Sequence, residues 1–162
     1  MAQVRPIDAG DLEWKVAALQ AVWGGTEVAR KGELIDALEL DGFVAVDGVD
    51  RIGLLTYALR GQELEVVTVH VDRAGEGVAR ALMDAARSQA SLLGAMRMWL
   101  TTTNDNVRAY RFYQQWGMDF IALYHDGVAR SRALKPSIPL TGTDGIAIRH
   151  ELEFELLLHG PA

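Results

Sequence analysis

The 162-residue sequence contains no cysteine. Disulfides, thiolate metal sites and a cysteine nucleophile are therefore excluded together. The sequence also lacks an apolar run long enough to cross a bilayer. Its first residues do not show the basic and then apolar pattern of a secretory signal. We therefore expect a cytoplasmic protein that does not associate with membranes.

Clusters of basic residues are equally scarce. The formal net charge is −6, and only Arg130, Arg132 and Lys135 come close together. A nucleic-acid-binding surface needs grouped lysines and arginines for its phosphate contacts. We therefore predict no nucleic-acid partner, while the acidic balance slightly favours a cationic substrate such as an amine. No cluster of metal-ligating residues stands out, so we also predict no metal.

The composition that remains is that of a globular domain. Hydrophobic residues make up 49% of the sequence and charged residues 23%, so wholesale disorder is excluded. A chain of this length can bury a single core. Because no repeat or linker divides it, we predict one domain over residues 1–162.

Hydrophobic periodicity predicts a mixture of helices and strands. We expect a helix that starts near Asp8 and runs to about Trp23, and a shorter one over 33–40. Longer helices are predicted at 78–93 and 107–116, and strands at 43–46, 51–59, 63–71, 96–100 and 120–125. Consecutive strands joined by short turns indicate an antiparallel meander. The predicted class is α+β.

The last predicted strand shows strict alternation. Leu152, Phe154 and Leu156 alternate with three glutamates at 151, 153 and 155. This pattern is typical of a half-buried strand, so we expect the glutamates to face water. The long segment before it, 126–145, is the least regular part of the chain.

A glycine-bearing loop, 72–77, connects the strand 63–71 to the long helix. The first N–H groups of a helix have no intrahelical partner and carry partial positive charge, so an anion can bind there. Gly75 and Gly77 would let a phosphate approach the backbone. A tight turn that simply needs glycine explains the same pattern. Neither the Walker nor the Rossmann glycine spacing is present.

Two runs of sequence resemble the GNAT superfamily of acyl-CoA N-acyltransferases. Residues 77–83, GVARALM, resemble its pyrophosphate loop, [Q/R]-x-x-G-x-[G/A], and residues 106–118, NVRAYRFYQQWGM, resemble its N-x-x-A-x-x-F-Y-x-x-x-G-[F/M] helix. The stretch 131–151 is similar to a bacterial subgroup without an assigned substrate. The resemblance implies a mixed, mostly antiparallel central sheet flanked by helices on both faces. It also implies transfer of an acetyl group from acetyl-CoA to an amine by direct attack in a ternary complex.

One position departs from the family pattern. Ala74 stands where the family has Gln or Arg, and this removes a side-chain contact to the diphosphate. Arg73, Arg80 or the backbone amides of the loop are the candidates for replacing it, and we expect modest acetyl-CoA affinity. A non-catalytic acyl-CoA-binding module is the alternative function.

The resemblance implies a set of acetyl-CoA contacts in the two motifs and in the strand before them. They are Val69, His70, Val71, Arg73, Gly75, Glu76, Gly77, Val78, Ala79, Arg80, Asn106, Ala109 and Tyr113. A backbone N–H at 69–71 is the implied oxyanion donor. Tyr113 matches the tyrosine that protonates the departing thiolate, although it could instead be a packing aromatic. Asn106 matches the asparagine that binds the pantetheine arm, or it is simply a helix N-cap.

The identity of the general base is less well defined by the sequence. Glu63 and Glu65 share one face of their strand, and Glu65 is our candidate, because a partly buried carboxylate can acquire a pKa suited to this role. An outward-facing carboxylate is the alternative for Glu65, and His70 or a water molecule is the rival base.

The amine acceptor is expected against the first helix and the loop after it, and is a small molecule or a protein amino group. The candidate pocket residues are Trp14, Trp23, Glu27 and Glu33, although the simpler explanation of the two tryptophans is that they belong to the core. The last strands are a candidate surface for a homodimer.

Overall fold

The computed structural model describes residues 2–158, which form two compact units. The first unit comprises residues 2–26, 36–98 and 157–158, and the second comprises 27–35 and 99–156. The elements in chain order are β1 (Gln3–Pro6), α1 (Leu12–Trp23), β2 (Glu27–Arg30), β3 (Glu33–Asp36), β4 (Gly42–Asp47), β5 (Asp50–Arg60), β6 (Glu63–Val71), α2 (Val78–Leu92), β7 (Arg97–Thr103), α3 (Val107–Trp116), β8 (Asp119–Tyr124), α4 (Val128–Leu134) and β9 (Glu151–Leu157). Helices and mostly antiparallel strands give the α+β class that the sequence predicts. No helix within residues 2–158 combines the length and the apolar character needed to span a membrane.

The first unit contains the predicted meander. Strands β1, β4, β5 and β6 lie side by side in that order, and each neighbouring pair is antiparallel. Helix α2 packs on this sheet at Gly53, where an added Cβ would lie 3.0 Å from Val78 Cγ1 and 3.1 Å from Leu82 Cδ1. Glycine at this position therefore lets the helix approach the strand closely.

A buried carboxylate fixes the start of α1 in the same unit. Asp8 and Asp11 form a reciprocal capping box around a short 3₁₀ turn, so the predicted helix start is confirmed. The fully buried Asp11 carboxylate also accepts hydrogen bonds from Arg5, at 2.8 and 2.9 Å, and from Arg51 Nε at 2.7 Å. The cap therefore ties α1 to strands β1 and β5.

The predicted helix over 33–40 is wrong. Residues Glu33–Asp36 form β3, and only a single 3₁₀ turn, Ala37–Glu39, follows. The cause is a two-residue turn at Lys31 and Gly32, whose φ angles of 51° and 73° close β2 and β3 into a hairpin. Leu34, Ala37 and Leu38 match helical spacing only by coincidence.

The prediction that the glutamates of the last strand face water is also wrong. Glu151 and Glu153 on β9 are 3% and 4% exposed. Their carboxylates are covered within the second unit, where Glu151 accepts a hydrogen bond from the backbone N–H of Lys31 and Glu153 accepts one from the Lys31 ammonium. Alternation of residue types predicts the strand but not what covers it.

Candidate functional site

The exposed loop 72–77 leads into the start of α2 in the first unit, where Val78 is buried, Ala79 half-buried and Arg80 exposed. Gly77 is the N-cap residue and no side chain caps the helix. The first intrahelical bond runs from Ala81 N to Gly77 O at 3.0 Å. The N–H groups of Val78, Ala79 and Arg80 therefore have no partner within the helix, as the anion-site prediction requires.

The two loop glycines are there for backbone conformation and not for space. Gly75 and Gly77 have φ angles of 84° and 74°, in the left-handed region that favours glycine. A Cβ built on either one meets no atom within 4 Å. The tight-turn explanation is therefore correct as far as it goes, and it leaves the open side of the loop available to a ligand.

The cationic side chains near the loop differ in their surroundings. Arg73 Nη1 lies 3.2 Å from Asp47 Oδ2, and both side chains are partly exposed. Arg80 is exposed on the first turn of α2, and Glu76 and Ala74 are exposed in the loop. A diphosphate at this loop would compete with Asp47 for Arg73, whereas Arg80 is the cation closest to the helix start along the chain.

A β-bulge determines which side chains of β6 face the same way. Tyr57 pairs with Val66 and the preceding Thr56 pairs with Thr68, so Val67 is an extra residue without a partner on β5. Glu65, Thr68 and His70 therefore pair with alternate residues of β5 and lie on one face. Thr68 confirms this assignment through a 2.6 Å hydrogen bond with Thr56.

The bulge changes the relation between the two candidate bases. Without it, strict alternation would put Glu65 and His70 on opposite faces, and the structure puts them on the same face, opposite to the one that α2 covers. Glu65 is 3% exposed, so the outward-facing alternative is wrong. Glu63 is exposed and bonded to Arg97 at 3.3 Å, and His70 Nε2 lies 2.9 Å from Asp72 Oδ1. The choice of base stays a prediction.

The second motif forms α3 in the second unit, with the predicted bounds. Asn106 occupies the N-cap position, but its side chain makes no cap hydrogen bond, and its amide instead donates to Thr102 Oγ1 at 3.3 Å. The simple N-cap explanation therefore fails for this side chain. Asn106 is exposed and Ala109 half-buried, one turn apart on the helix.

Like Trp116, Tyr113 is a buried aromatic residue of α3. It is 6% exposed, and its ring packs against Phe112 and Phe154 with centroid distances of 5.7 and 5.9 Å. Burial raises the pKa of Tyr113 well above its usual value, so the phenol stays protonated at neutral pH. No hydrogen bond to its hydroxyl is present among residues 2–158.

The predicted site residues thus divide between the two units. The first unit holds Glu65, Val69, His70, Val71, Arg73, Gly75, Glu76, Gly77, Val78, Ala79 and Arg80, and the second holds Asn106, Ala109 and Tyr113. Val69 and Val71 are half-buried on β6. Trp14 and Trp23 are half-buried on α1, whereas Glu27 and Glu33 are exposed on the β2–β3 hairpin. Neither tryptophan is a fully buried core residue.

The structure also brings together three residues that sequence reasoning did not group. His125, Asp126 and His150 place three potential ligand atoms within 4.8 Å of one another, contrary to the expectation that no metal cluster exists. Arg149 donates to the same Asp126 carboxylate at 2.8 and 3.1 Å. This guanidinium already neutralises the carboxylate and would compete with a bound cation.

Comparisons with known proteins identify the family of the chain. A sequence model described as the acetyltransferase (GNAT) family matches residues 12–118. The uncharacterized protein YdhI of Bacillus subtilis (strain 168) is 36% identical over 137 residues, which cover 84% of this chain and 86% of YdhI. The name of this relative indicates no substrate.

Two solved structures show the same fold. One is an IAA acetyltransferase from Bacillus cereus ATCC 14579, with a TM-score of 0.72 and 17% identity over 98% of this chain and 100% of that one. The other is a Bacillus subtilis acetyltransferase in complex with CoA, with a TM-score of 0.70 and 18% identity over the same shares. These likenesses confirm the predicted GNAT-like fold. The chain belongs to the GNAT family of acetyltransferases.

Proposed function

We propose that this protein is a cytoplasmic N-acetyltransferase that moves an acetyl group from acetyl-CoA to an amine. The observation that carries the proposal is the uncapped start of α2 after an exposed loop with two left-handed glycines. In a chain of this family, such a group of N–H donors is suited to the diphosphate of the coenzyme. The related Bacillus subtilis structure was solved with CoA.

The loop amides and two arginines would share the diphosphate. The N–H groups at the start of α2 supply hydrogen bonds, and each favourable helix-end charge interaction is worth about 0.3–1 kcal/mol. Arg80 adds a charge on the first turn, and Arg73 adds another once it leaves Asp47. Asn106, which is exposed, is proposed to bind the pantetheine arm through its side-chain amide.

The proposed reaction is direct attack by a neutral amine on the thioester carbonyl. A C–N bond forms, the C–S bond breaks, and the proton lost by the amine goes to Glu65, either directly or through water. The thiolate takes a proton from the Tyr113 hydroxyl, whose raised pKa keeps it in the donor form. A backbone N–H at 69–71 is proposed to stabilise the oxyanion.

A non-catalytic acyl-CoA-binding module is the second candidate. Ala74 favours it because one diphosphate contact is missing, and the tight packing of Tyr113 between Phe112 and Phe154 shows that this residue also has a structural role. The two candidates share the coenzyme site and differ only in turnover.

A thermal-shift titration with acetyl-CoA tests the site, with ATP and NAD as controls. A ligand at one hundred times its dissociation constant stabilises the fold by about 2.7 kcal/mol. We expect a shift with acetyl-CoA alone, and a smaller shift for Arg80→Ala at equal ligand concentration. No shift at millimolar acetyl-CoA would refute the proposal.

Turnover is tested by the Tyr113→Phe variant, which keeps the ring packing and removes the hydroxyl. We expect kcat, measured on a panel of amines or as slow acetyl-CoA hydrolysis, to fall about 10²-fold or more while acetyl-CoA binding is unchanged. Tyr110→Phe removes a hydroxyl from the same helix and is the matched control. Binding without any turnover in the wild type would leave the non-catalytic module as the function.

A further inference from the structure

In the second unit, the side-chain ammonium group of Lys31 is held by a cluster of one acidic and two aromatic residues. The Lys31 ammonium donates to Glu153 Oε1 at 2.6 Å and lies 4.7 Å from the ring centroid of Trp99 and 5.3 Å from that of Tyr124. The Tyr124 hydroxyl donates to the same oxygen of Glu153 at 2.9 Å. We call Trp99, Tyr124 and Glu153 the ammonium cage.

The cage has the chemistry of a cation site. Two aromatic faces attract a cation through their quadrupoles, most strongly where water is partly excluded. The Glu153 side chain is only 5% exposed, and a carboxylate so deeply buried needs a cationic or hydrogen-bonding partner. Its three members come from β7, β8 and β9, so the cage is built into the sheet and does not depend on Lys31 for its shape.

Lys31 itself is an unusual occupant. It is the first residue of the β2–β3 turn, where φ is 51° and Asn or Gly is the usual choice. A long side chain in this conformation is an outlier of the kind that points to function. The turn conformation does not favour lysine, and the contacts of its side chain are those of the ammonium group with Glu153, Trp99 and Tyr124.

The occupant can also leave. The hairpin is held at its turn by the Lys31 backbone N–H, which donates to Glu151 Oε2 at 2.8 Å, and at its base by Lys135, which donates to Glu27 O at 2.6 Å. The Lys31 side chain is 34% exposed, so the cage is connected to solvent along this residue. The Lys31 side chain can therefore rotate out of the cage while the hairpin backbone stays in place.

We propose that the ammonium cage is a binding site for an external alkylammonium group, and that Lys31 occupies it as an internal stand-in that the ligand displaces. This inference deepens the proposed function and rests on it in one respect, namely that the ligand is the acetyl acceptor. The cage then recognises one end of that acceptor.

The protonation state of the held nitrogen narrows the substrate class. Burial acts to lower the pKa of Lys31, but the hydrogen bond and the charge of Glu153 outweigh it, and the pKa is raised above its ordinary value. Because a carboxylate oxygen at 2.6 Å and two aromatic rings at 4.7 and 5.3 Å surround this position, a nitrogen in the cage is held as an ammonium group and is not the nucleophile. The acceptor that fits is a diamine, with one ammonium in the cage and a second amine that reacts.

The decisive variant is Lys31→Asn, because Asn is favoured in this turn and carries no ammonium. Binding of 1,5-diaminopentane is measured by isothermal titration calorimetry, with 1-pentanol as the neutral control. We expect about tenfold tighter diamine binding than in the wild type, since the internal competitor is gone. Lys31→Arg keeps a cation at this position and should bind like the wild type.

The same binding must depend on the cage carboxylate. Adding Glu153→Gln to the Lys31→Asn variant keeps an oxygen for Tyr124 and removes the charge, so the gain in diamine affinity should be lost. The cage proposal is wrong if Lys31→Asn binds the diamine no more tightly than the wild type, or if the double variant binds it equally well. Lys31→Gly, which also tolerates a φ of 51°, repeats the test if the Asn variant does not fold.

An acetyl-transfer assay with acetyl-CoA shows whether a failure belongs to the cage proposal or to the proposed acetyltransferase function. Diamine binding without any acetylated product would leave the cage standing and refute the transfer. Acetylation of other amines without diamine binding in Lys31→Asn would refute the cage and support the transfer.

Discussion

Replacing Asp11 by asparagine tests how the first unit holds the start of α1. The carboxylate is fully buried and accepts from Arg5, from Arg51 and from the backbone N–H of Asp8 at 2.9 Å. Hydrogen bonds to charged groups contribute about 1.5–3 kcal/mol each to stability. The two arginine side chains are 37% and 31% exposed, so water can take over much of their solvation when the charge is removed.

We therefore expect Asp11→Asn to lower the free energy of unfolding by about 2–3 kcal/mol at pH 7, below the range of about 3–5 kcal/mol for breaking a fully buried pair. Urea unfolding followed by circular dichroism measures it. Asp8→Asn is the matched control, because Asn accepts the Gly10 N–H as well as Asp does, and should cost little. Equal losses in the two variants would show that burial of Asp11 does not matter.

The ion pair of Asp11 and Arg5 also makes the free energy of unfolding depend on pH. The hydrogen bond from Arg5 lowers the pKa of Asp11 well below its usual value, more than burial raises it. A carboxyl with a lowered pKa in the folded state contributes stability above its unfolded pKa, near 4, and loses that contribution as the pH falls further. The stability difference between wild type and Asp11→Asn should thus shrink below about pH 4. A difference that stayed constant down to pH 2 would refute the reasoning.

Three further substitutions follow from the first unit and are read out by thermal or urea unfolding. Gly53→Ala should cost about 1–3 kcal/mol, because the new methyl group is too close to α2, whereas Gly25→Ala, with open space around it, should be nearly neutral. Thr68→Val should cost about 1–3 kcal/mol, because the buried hydroxyl of Thr56 loses its hydrogen-bond partner, and adding Thr56→Val should recover most of the loss. Gly77→Ala should cost about 1–2 kcal/mol through its left-handed φ alone, so a loss no larger than that of Gly25→Ala would contradict the conformational argument.

Elements with a strong period and a clear end were predictable from the sequence. Strand β6 and helix α3 have the predicted bounds, since alternation defines the first and Gly117 closes the second. The β2–β3 hairpin was not predictable, because its turn uses Lys31 where the usual signal is Asn or Gly. The burial of Glu153 depends on that hairpin and was hidden for the same reason.

The candidate site was predictable only as far as local sequence determines it. The loop donors at Gly77 follow from a strand, two glycines and a helix, which are contiguous in the chain. The shared face of Glu65 and His70 depends on the bulge, which the sequence marks only by the adjacent Val66 and Val67, where the alternation of polar and apolar residues shifts by one position. The ammonium cage is still further from prediction, as its members are separated by more than 20 residues each and meet only through sheet pairing.

The extra residue at Val67 has a consequence for comparing this chain with its relatives. A relative whose strand is one residue shorter would present the same side chains on the same face if its alignment gap falls at Val67. A gap placed elsewhere in the strand would equate residues from opposite faces over the intervening positions. Roles assigned to Glu65 or His70 by alignment therefore depend on anchoring the two halves of the strand separately, on either side of this position.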